Sequence, residues 1–470
     1  MNIDDIRALL RGCDQTHLLR FWDDLSARQR EELIGDLLRV DFEQVARLIP
    51  THVQRVPDAA PKARIDPAPV ITAKPGSQRH REGAARGAAM ITSGTVAALV
   101  VAGGQGSRLG FDGPKGMYPI SPVRNKTLFR LFAESILATQ RRFAGTVPWY
   151  IMTSEMNDRA SRDYFAANKY FGLDSDNVIF FKQGVMPAIG RDGKILLDDR
   201  HRVAMSPDGH GGTLRALACT GALRDMATRG IEAVSYFQVD NPLVTPVDPV
   251  FIGLHDLTGS EASSLAVPKA DDLEKVGNFA LVNGKICVVE YSDLPEHHAR
   301  ARNPDGSRWL DNASIAIHVF SRRFIERLTD DIHAVKLPWH RAVKKVAHVD
   351  LDSGRRIEPE SPNAVKLEMF VFDALPLADK TMVLLAKRSE VFSPVKNATG
   401  VDSAETARRD MIRRAADWLQ GCGVAIPARN DGEPDAVLEI SPLYALDAAQ
   451  LAERITDKPT VPPSGTLYLE

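Results

Sequence analysis

The chain has 470 residues, 44% of them apolar and 26% charged. This excludes general disorder, a collagen-like repeat and a small disulfide scaffold, and at roughly 150 residues per domain it suggests about three structural units. Lys plus Arg number 59 against 61 Asp plus Glu, a formal charge of -2, which leaves none of the basic excess that a nucleic-acid or membrane partner favours.

Any phosphate chemistry must therefore rest on locally placed cations. Cys13, Cys219, Cys287 and Cys422 are far apart, with no CxxC and no metal-type pairing with His. No apolar run reaches the roughly 18 residues of a membrane span. Reduced thiols in a soluble, cytoplasmic protein are expected.

Residues 1–50 read as a helical N-terminal segment. Ile3, Ile6, Leu9 and Leu10 keep helical spacing, and Ser26 with Gln29 forms a capping box ahead of Leu33, Ile34, Leu37 and Leu38. Over 51–90 prolines (57, 61, 67, 69 and 75) mix with Ala, Arg and Gly, which predicts an extended or flexible connector. From 91 to 398 strand, loop and helix alternate. Val96–Val101, Val147–Met152, Val178–Phe181 and Val234–Val239 read as strands, and Leu128–Leu137 and Gly212–Met226 as helices. That pattern predicts an α/β domain with a mostly parallel sheet covered by helices, its ligands beyond the carboxyl ends of the strands. Strand-like runs at Leu265–Val267, Ala280–Val282, Ile286–Glu290 and Ile315–Phe320, with the Asn283-Gly284 turn, predict an antiparallel extension. Residues 399–470 read as a small C-terminal domain.

The richest segment runs from Leu99 to Lys115. A buried strand delivers the chain to Gly103 and Gly104, where no side chain blocks the backbone, and successive N–H groups there can face a polyanion. Arg108 and Lys115 add full charges where phosphates would lie. A dinucleotide fingerprint fails because Gly110 comes one residue late after Gly104-x-Gly106 and Pro114 blocks early helix growth. A Walker A loop fails because Gly116, not Ser or Thr, follows Lys115.

This stretch resembles the G-G-x-G-[ST]-R-L-G…P-K signature of the UDP-sugar pyrophosphorylases of the eukaryotic type. With Pro-Lys-Gly-Met-Tyr after the loop it is most similar to the UDP-N-acetylhexosamine enzymes among them. The likeness continues through Phe-Phe-Lys-Gln-Gly (180–184), Pro-Asp-Gly-His-Gly-Gly (207–212), Gln-Val-Asp-Asn (238–241), Val-Val-Glu-Tyr-Ser (288–292), Lys-Leu-Glu-Met-Phe-Val-Phe-Asp (366–373) and Phe-Ser-Pro-Val-Lys-Asn (392–397). It implies a Rossmann-like nucleotidyltransferase (glycosyltransferase A-type) fold with a mixed, mostly parallel sheet.

The resemblance implies roles for individual residues. Val101, Ala102, Gly103 and Gly104 would line the nucleotide, Gln183 would read the uracil edge, and Gly209 would let the backbone approach the nucleoside. Arg108, Lys115 and Lys396 are the candidate catalytic cations, and Lys366 would face the nucleotide phosphates. Asp240 ends an apolar strand and would serve the nucleotide and hold Mg²⁺, which favours one or two carboxylates plus substrate oxygens. His210, Gly277, Asn278, Glu290, Tyr291 and Ser314 would bind the sugar. His210 stands where the family commonly has Asn, and Ser314 and Ile317 replace two further family asparagines.

The implied activity is uridylyl transfer from UTP to a sugar 1-phosphate, N-acetylglucosamine 1-phosphate in first place, giving UDP-sugar and pyrophosphate. A UDP-glucose or broad-specificity UDP-sugar pyrophosphorylase is the alternative. A non-catalytic sugar-nucleotide binder and a nicotinamide oxidoreductase are lesser readings. Partners are small molecules, with neither nucleic acid nor membrane. The oligomeric state is left open, a monomer included.

Overall fold

The computed structural model describes residues 3–55, 64–332 and 335–470, and its spine is an 11-stranded sheet. Along the main path the strands run Ile71–Thr72, Thr381–Leu385, Ala262–Pro268, Asn312–Ser321, Ala233–Gln238, Val96–Val101, Trp149–Thr153 and Val178–Lys182. All neighbouring pairs on that path are parallel except the two made by Asn312–Ser321, which is antiparallel to both neighbours. The sheet is thus mixed and mostly parallel, with the expected antiparallel hairpin Gly277–Val282/Lys285–Val289 paired onto Asn312–Ser321.

Val96–Val101 and Trp149–Thr153 are buried nearly throughout, as strands covered on both faces must be. The helix Leu128–Phe143 starts where the Thr127 hydroxyl accepts from the Arg130 N–H and packs Phe129 edge-on against Trp149 and Phe165. These aromatics anchor the core under the sheet.

Over 51–90 the chain departs from the connector predicted there, apart from the part of that stretch outside the described residues. Ile65–Pro67 pairs with Ala280–Val282, Ile71–Thr72 joins the sheet edge, and Gln78–Thr92 is a 15-residue helix capped by Ser77. Its glycines are contact points. A Cβ on Gly87 would lie 1.9 Å from the Pro249 carbonyl oxygen, and one on Gly253 equally close to the Gly83 carbonyl oxygen. Only Gly lets this helix and Pro249–Leu257 approach so closely, and a composition-based reading counts the same residues as breakers. The predicted helix Gly212–Met226 is likewise two, Gly212–Cys219 and Ala222–Thr228, parted where Gly221 takes a left-handed φ of 82°.

The chain forms two compact units. One collects the described parts of Met1–Ala63, Gln183–Cys219 and Arg327–Ala374; the other holds Arg64–Lys182, Thr220–Glu326 and Leu375–Glu470. In the first, the predicted N-terminal helices form, with the Ser26/Gln29 capping box present, but they are no separate segment. Ile6, Leu10, Leu33 and Leu37 share one apolar cluster with Ile189, Ile195, Val203 and Val365, and the buried Gln15 amide bonds Gly193 O and Ile195 N. In the second, residues 415–469 keep an apolar cluster of their own around Leu419, Leu438 and Leu451. That cluster is pinned by the Glu439 carboxylate, which accepts from the Val123 and Arg124 N–H groups. No helix among the described residues is long and apolar enough to cross a membrane.

Two glycine-to-alanine substitutions should separate propensity from packing. Gly35, with nothing near its Cβ position, should gain about 1 kcal/mol as Gly35→Ala from helix propensity. Gly87→Ala gains the same propensity but forces the carbonyl contact, so chemical denaturation should show a net loss of about 1–3 kcal/mol.

Candidate functional site

In the larger unit, Val96–Val101 and Ala233–Gln238 are parallel neighbours with Val101 opposite Gln238. Their carboxyl ends therefore release the glycine loop and Asp240 side by side. The loop folds back on itself: Gly106 N–H donates to Gly113 O, Phe111 N–H to Gly106 O and Lys115 N–H to Gly104 O. A Cβ on Gly106 would meet the Phe111 ring at 2.7 Å, so a side chain there would open the turn. This folding returns Lys115 to the start of the loop. Its ammonium lies 3.9 Å from Asp240 Oδ2, each side chain only 16% exposed, and donates to Val395 O at 3.3 Å. Val101, Ala102, Gly103 and Gly104 form the strand end and the first turn. Arg108 is exposed and makes no ion pair among the described residues.

Two residues outside the predicted set fix this arrangement. Asn157 is fully buried, and its amide donates to Ala102 O at 2.9 Å and Gly104 O at 3.2 Å, which pins the loop backbone from beneath. Asn241, also buried, accepts from the Leu243 and Ser393 N–H groups and donates to Val391 O, while Asp240 O accepts from Val395 N–H at 2.7 Å. Residues 391–395 are thereby tied to Asp240, and Lys396 follows directly. Its ammonium pairs with Asp402 at 3.5 Å. Asn241 stood within a quoted motif; Asn157 carried no signal beyond a polar residue at a helix start.

Asp240 is the metal ligand expected from the sequence. No group of three His, Cys, Asp or Glu gathers to hold an ion among the described residues. A lone carboxylate suits Mg²⁺ when bound phosphate oxygens and water supply the remaining ligands, so this donor set fits a cation that arrives with a phosphorylated ligand.

Around the hairpin of the same unit, Gly277 pairs with Ser314, and Asn278 with Ala313 and Val289. A Cβ on Gly277 would lie 3.3 Å from Glu290 Oε1 and 3.7 Å from Ser314 Cβ, so Gly277, Glu290 and Ser314 form one small cluster. Tyr291 beside them is exposed. The Asn278 side chain turns back and donates to Val276 O, leaving its buried Oδ1 without a partner among the described residues. A register shift opposite Ser264–Ala266, with Ala316 at a φ of 54°, marks a bulge just past Ser314.

The smaller unit carries Gln183, Gly209, His210 and Lys366. Gly209, at a φ of 85°, packs so tightly that a Cβ would lie 2.4 Å from Met369 O, and the loop is laced to the chain by Gly211 N–H to Met369 O and Met369 N–H to Asp208 O. The Gln183 amide donates to Gly209 O at 2.8 Å. His210 stacks on Phe370, and its Nδ1 accepts from the Val371 N–H at 3.2 Å, leaving the proton of the neutral ring on Nε2. Burial, helped by the nearby His340, pushes its pKa down to about 4. Asp208 is moved the other way, to about 6, because burial outweighs the pull of Arg215 and Gln183. Lys366 lies half-buried on the strand Ala364–Glu368, opposite Ala342. His297 and His298 sit on the short helix Glu296–Ala299 of the larger unit, where His298 stacks on Trp309.

A profile described as UTP–glucose-1-phosphate uridylyltransferase matches residues 65–412. The chain is 38% identical over 474 residues to the human UDP-N-acetylhexosamine pyrophosphorylase-like protein 1, covering 94% of this chain and 92% of that protein. It is 34% identical over 441 residues to the Saccharomyces cerevisiae UDP-N-acetylglucosamine pyrophosphorylase, covering 90% and 92%. A crystal structure of the Trypanosoma brucei uridine diphosphate N-acetylglucosamine pyrophosphorylase superposes with a TM-score of 0.83 at 24% identity, over 99% of this chain and 98% of that one.

The two shifted groups make opposite pH contributions. An unfolded chain protonates His210 near 6.5 and the fold only near 4, so its stabilising contribution is complete above pH 6.5 and is lost as pH falls toward 4. Asp208, raised from 3.8 to about 6, stabilises the fold below pH 3.8 and loses that contribution as pH rises through 6. Imidazole NMR should show His210 still neutral at about pH 5, where an ordinary histidine is protonated. His210→Asn should flatten the acid limb of stability between 6.5 and 4.

Proposed function

This chain belongs to the UTP–glucose-1-phosphate uridylyltransferase family, and we propose that it joins UTP to N-acetylglucosamine 1-phosphate, releasing pyrophosphate and UDP-N-acetylglucosamine. The sugar follows the printed names of the relatives that align along almost the whole chain. The observation that carries the chemistry is the Lys115 ammonium held 3.9 Å from Asp240 at the mouth of the glycine loop. It concentrates a cation, a carboxylate and the side-chain-free backbone of Gly103 and Gly104 where a polyphosphate is to be gripped.

In this reading an oxygen of the sugar phosphate attacks the α-phosphorus of UTP, the new P–O bond forms, and the bond to the β-phosphate breaks with pyrophosphate leaving opposite. The nucleophile is already ionised, so no general base is required. Bringing two anions together is the difficulty, and positioning with charge stabilisation supplies the rate. Lys115 and Arg108 would hold the departing pyrophosphate. Lys396 would take the attacking phosphate by exchanging its Asp402 partner for it, and Lys366 would face the nucleotide phosphates. Asp240 would hold Mg²⁺, which when bound supplies further positive charge against the phosphates. Gln183 and Gly209 would meet the uracil, and His210, Gly277, Asn278, Glu290, Tyr291 and Ser314 the sugar. The four free cysteines fit a reducing, cytoplasmic setting.

Pyrophosphate release from UTP with a panel of hexose and N-acetylhexosamine 1-phosphates tests this directly. N-acetylglucosamine 1-phosphate should give the highest kcat/KM, and a preference for glucose 1-phosphate would move the chain to the UDP-glucose enzymes of the family. Lys115→Ala should lose about 100- to 1000-fold in kcat while its unfolding transition stays that of the wild type; full turnover in that variant would remove Lys115 from the machinery.

A further inference from the structure

Asp208 is fully buried, yet both its carboxylate oxygens lack a hydrogen-bond partner among the described residues. A buried carboxylate left that way is costly, and a fold retains one where it serves something else. Its surroundings are shaped to admit it. A Cβ on Gly184 would lie 2.2 Å from one oxygen, and a Cβ on Gly212 2.0 Å from the other, so neither position accepts a side chain while the carboxylate stays. The main chain is locked as well, with Asp208 N–H donating to Gly184 O and Asp208 O accepting from Met369 N–H. Of the groups around the carboxylate, the Gln183 amide and Arg215 favour its ionised form and Glu368 opposes it.

The consequence falls on Gln183. A side-chain amide turns by 180° at little intrinsic cost, so its neighbours decide which end faces where. Gln183 Nε2 already donates to Gly209 O at 2.8 Å, and the Asp208 carboxylate is a second acceptor-only neighbour. The hydrogen bond to Gly209 O and the negative charge of the neighbouring carboxylate together favour the NH₂ end inward and leave Oε1 as the end presented to a ligand.

We infer that Asp208 is a positioning residue for base recognition, holding Gln183 with its carbonyl outward so that it selects a base carrying an N–H on its imide edge. Uracil carries that N–H at N3; cytosine has a lone pair at the same place and is rejected by the carbonyl. This rests on the proposed use of UTP and names the residue that makes the nucleotide site specific.

The test compares UTP, CTP and 3-methyl-UTP, which lacks the N3 hydrogen, by pyrophosphate release with N-acetylglucosamine 1-phosphate. Wild-type enzyme should use UTP at least tenfold better than either analogue in kcat/KM, the scale of one unpaired hydrogen-bonding group. Asp208→Asn gives Gln183 a donor for a neighbour and lets its amide turn. The UTP:CTP ratio should then fall about tenfold, mainly through the KM for UTP. Gln183→Ala should lower it similarly, and the double variant should fall no further than Gln183→Ala alone. An unchanged ratio in D208N, whatever its melting temperature, or additive losses in the double variant, would overturn the inference. Were D208N not to fold, wild-type enzyme using 3-methyl-UTP as well as UTP would overturn it equally. No wild-type turnover of UTP at all would instead sink the functional reading beneath it.

Discussion

The pairing of Lys115 with Asp240 is the constraint on which the arrangement at the mouth of the glycine loop depends. Two opposite charges lie 3.9 Å apart with little solvent access. At such a separation their attraction is a few kcal/mol, about 4 at an effective dielectric constant of 20. That figure is the attraction before the cost of withdrawing both groups from water, which offsets part of it. The pair exists because the loop between residues 104 and 115 closes on itself through backbone bonds, and because two parallel strands end at the same level.

Positioning by the main chain recurs on either side of that pair. Asn157 fastens the glycine loop from below, and Asn241 with the Asp240 carbonyl fastens residues 391–395. Neither amide has to touch a ligand to matter, since a charge-stabilising site works only when its dipoles are fixed in advance. The glycines divide by what they permit. Gly209 and Gly221 supply left-handed turns. Gly83, Gly87 and Gly253 let two helices meet at backbone distance, and Gly184 and Gly212 make room for one carboxylate.

Much of this was legible one residue at a time. The run Val96–Val101 was read with its observed bounds, the Ser26/Gln29 capping box formed, and the Asn283-Gly284 turn joins the expected hairpin. Each is a local signal that a few neighbouring residues carry alone. The helix Gln78–Thr92 has no apolar period to announce it, because its buried positions are Gly83, Gly87 and a late Met90-Ile91 pair, a pattern that acquires meaning only opposite Pro249–Leu257. Asn157 was silent for the same reason: its partners, Ala102 and Gly104, lie on another strand's end.

What the amino-acid order determined by itself was the α/β class, the positions of the central strands, the glycine loop that follows the first of them and, through its motifs, the family. Periodicity, caps and turn residues act over a handful of positions and so survive in a linear reading. Tertiary structure decided that residues 3–55 share a core with segments about 150 and 300 positions later. It also decided that Lys115 meets Asp240, and that the Asp208 carboxylate is buried without a hydrogen bond among the described residues, beside the glutamine expected to read a base. Those outcomes depend on which surfaces meet and what solvent is excluded there, and neither burial nor a neighbour's charge is written in the residue that feels it.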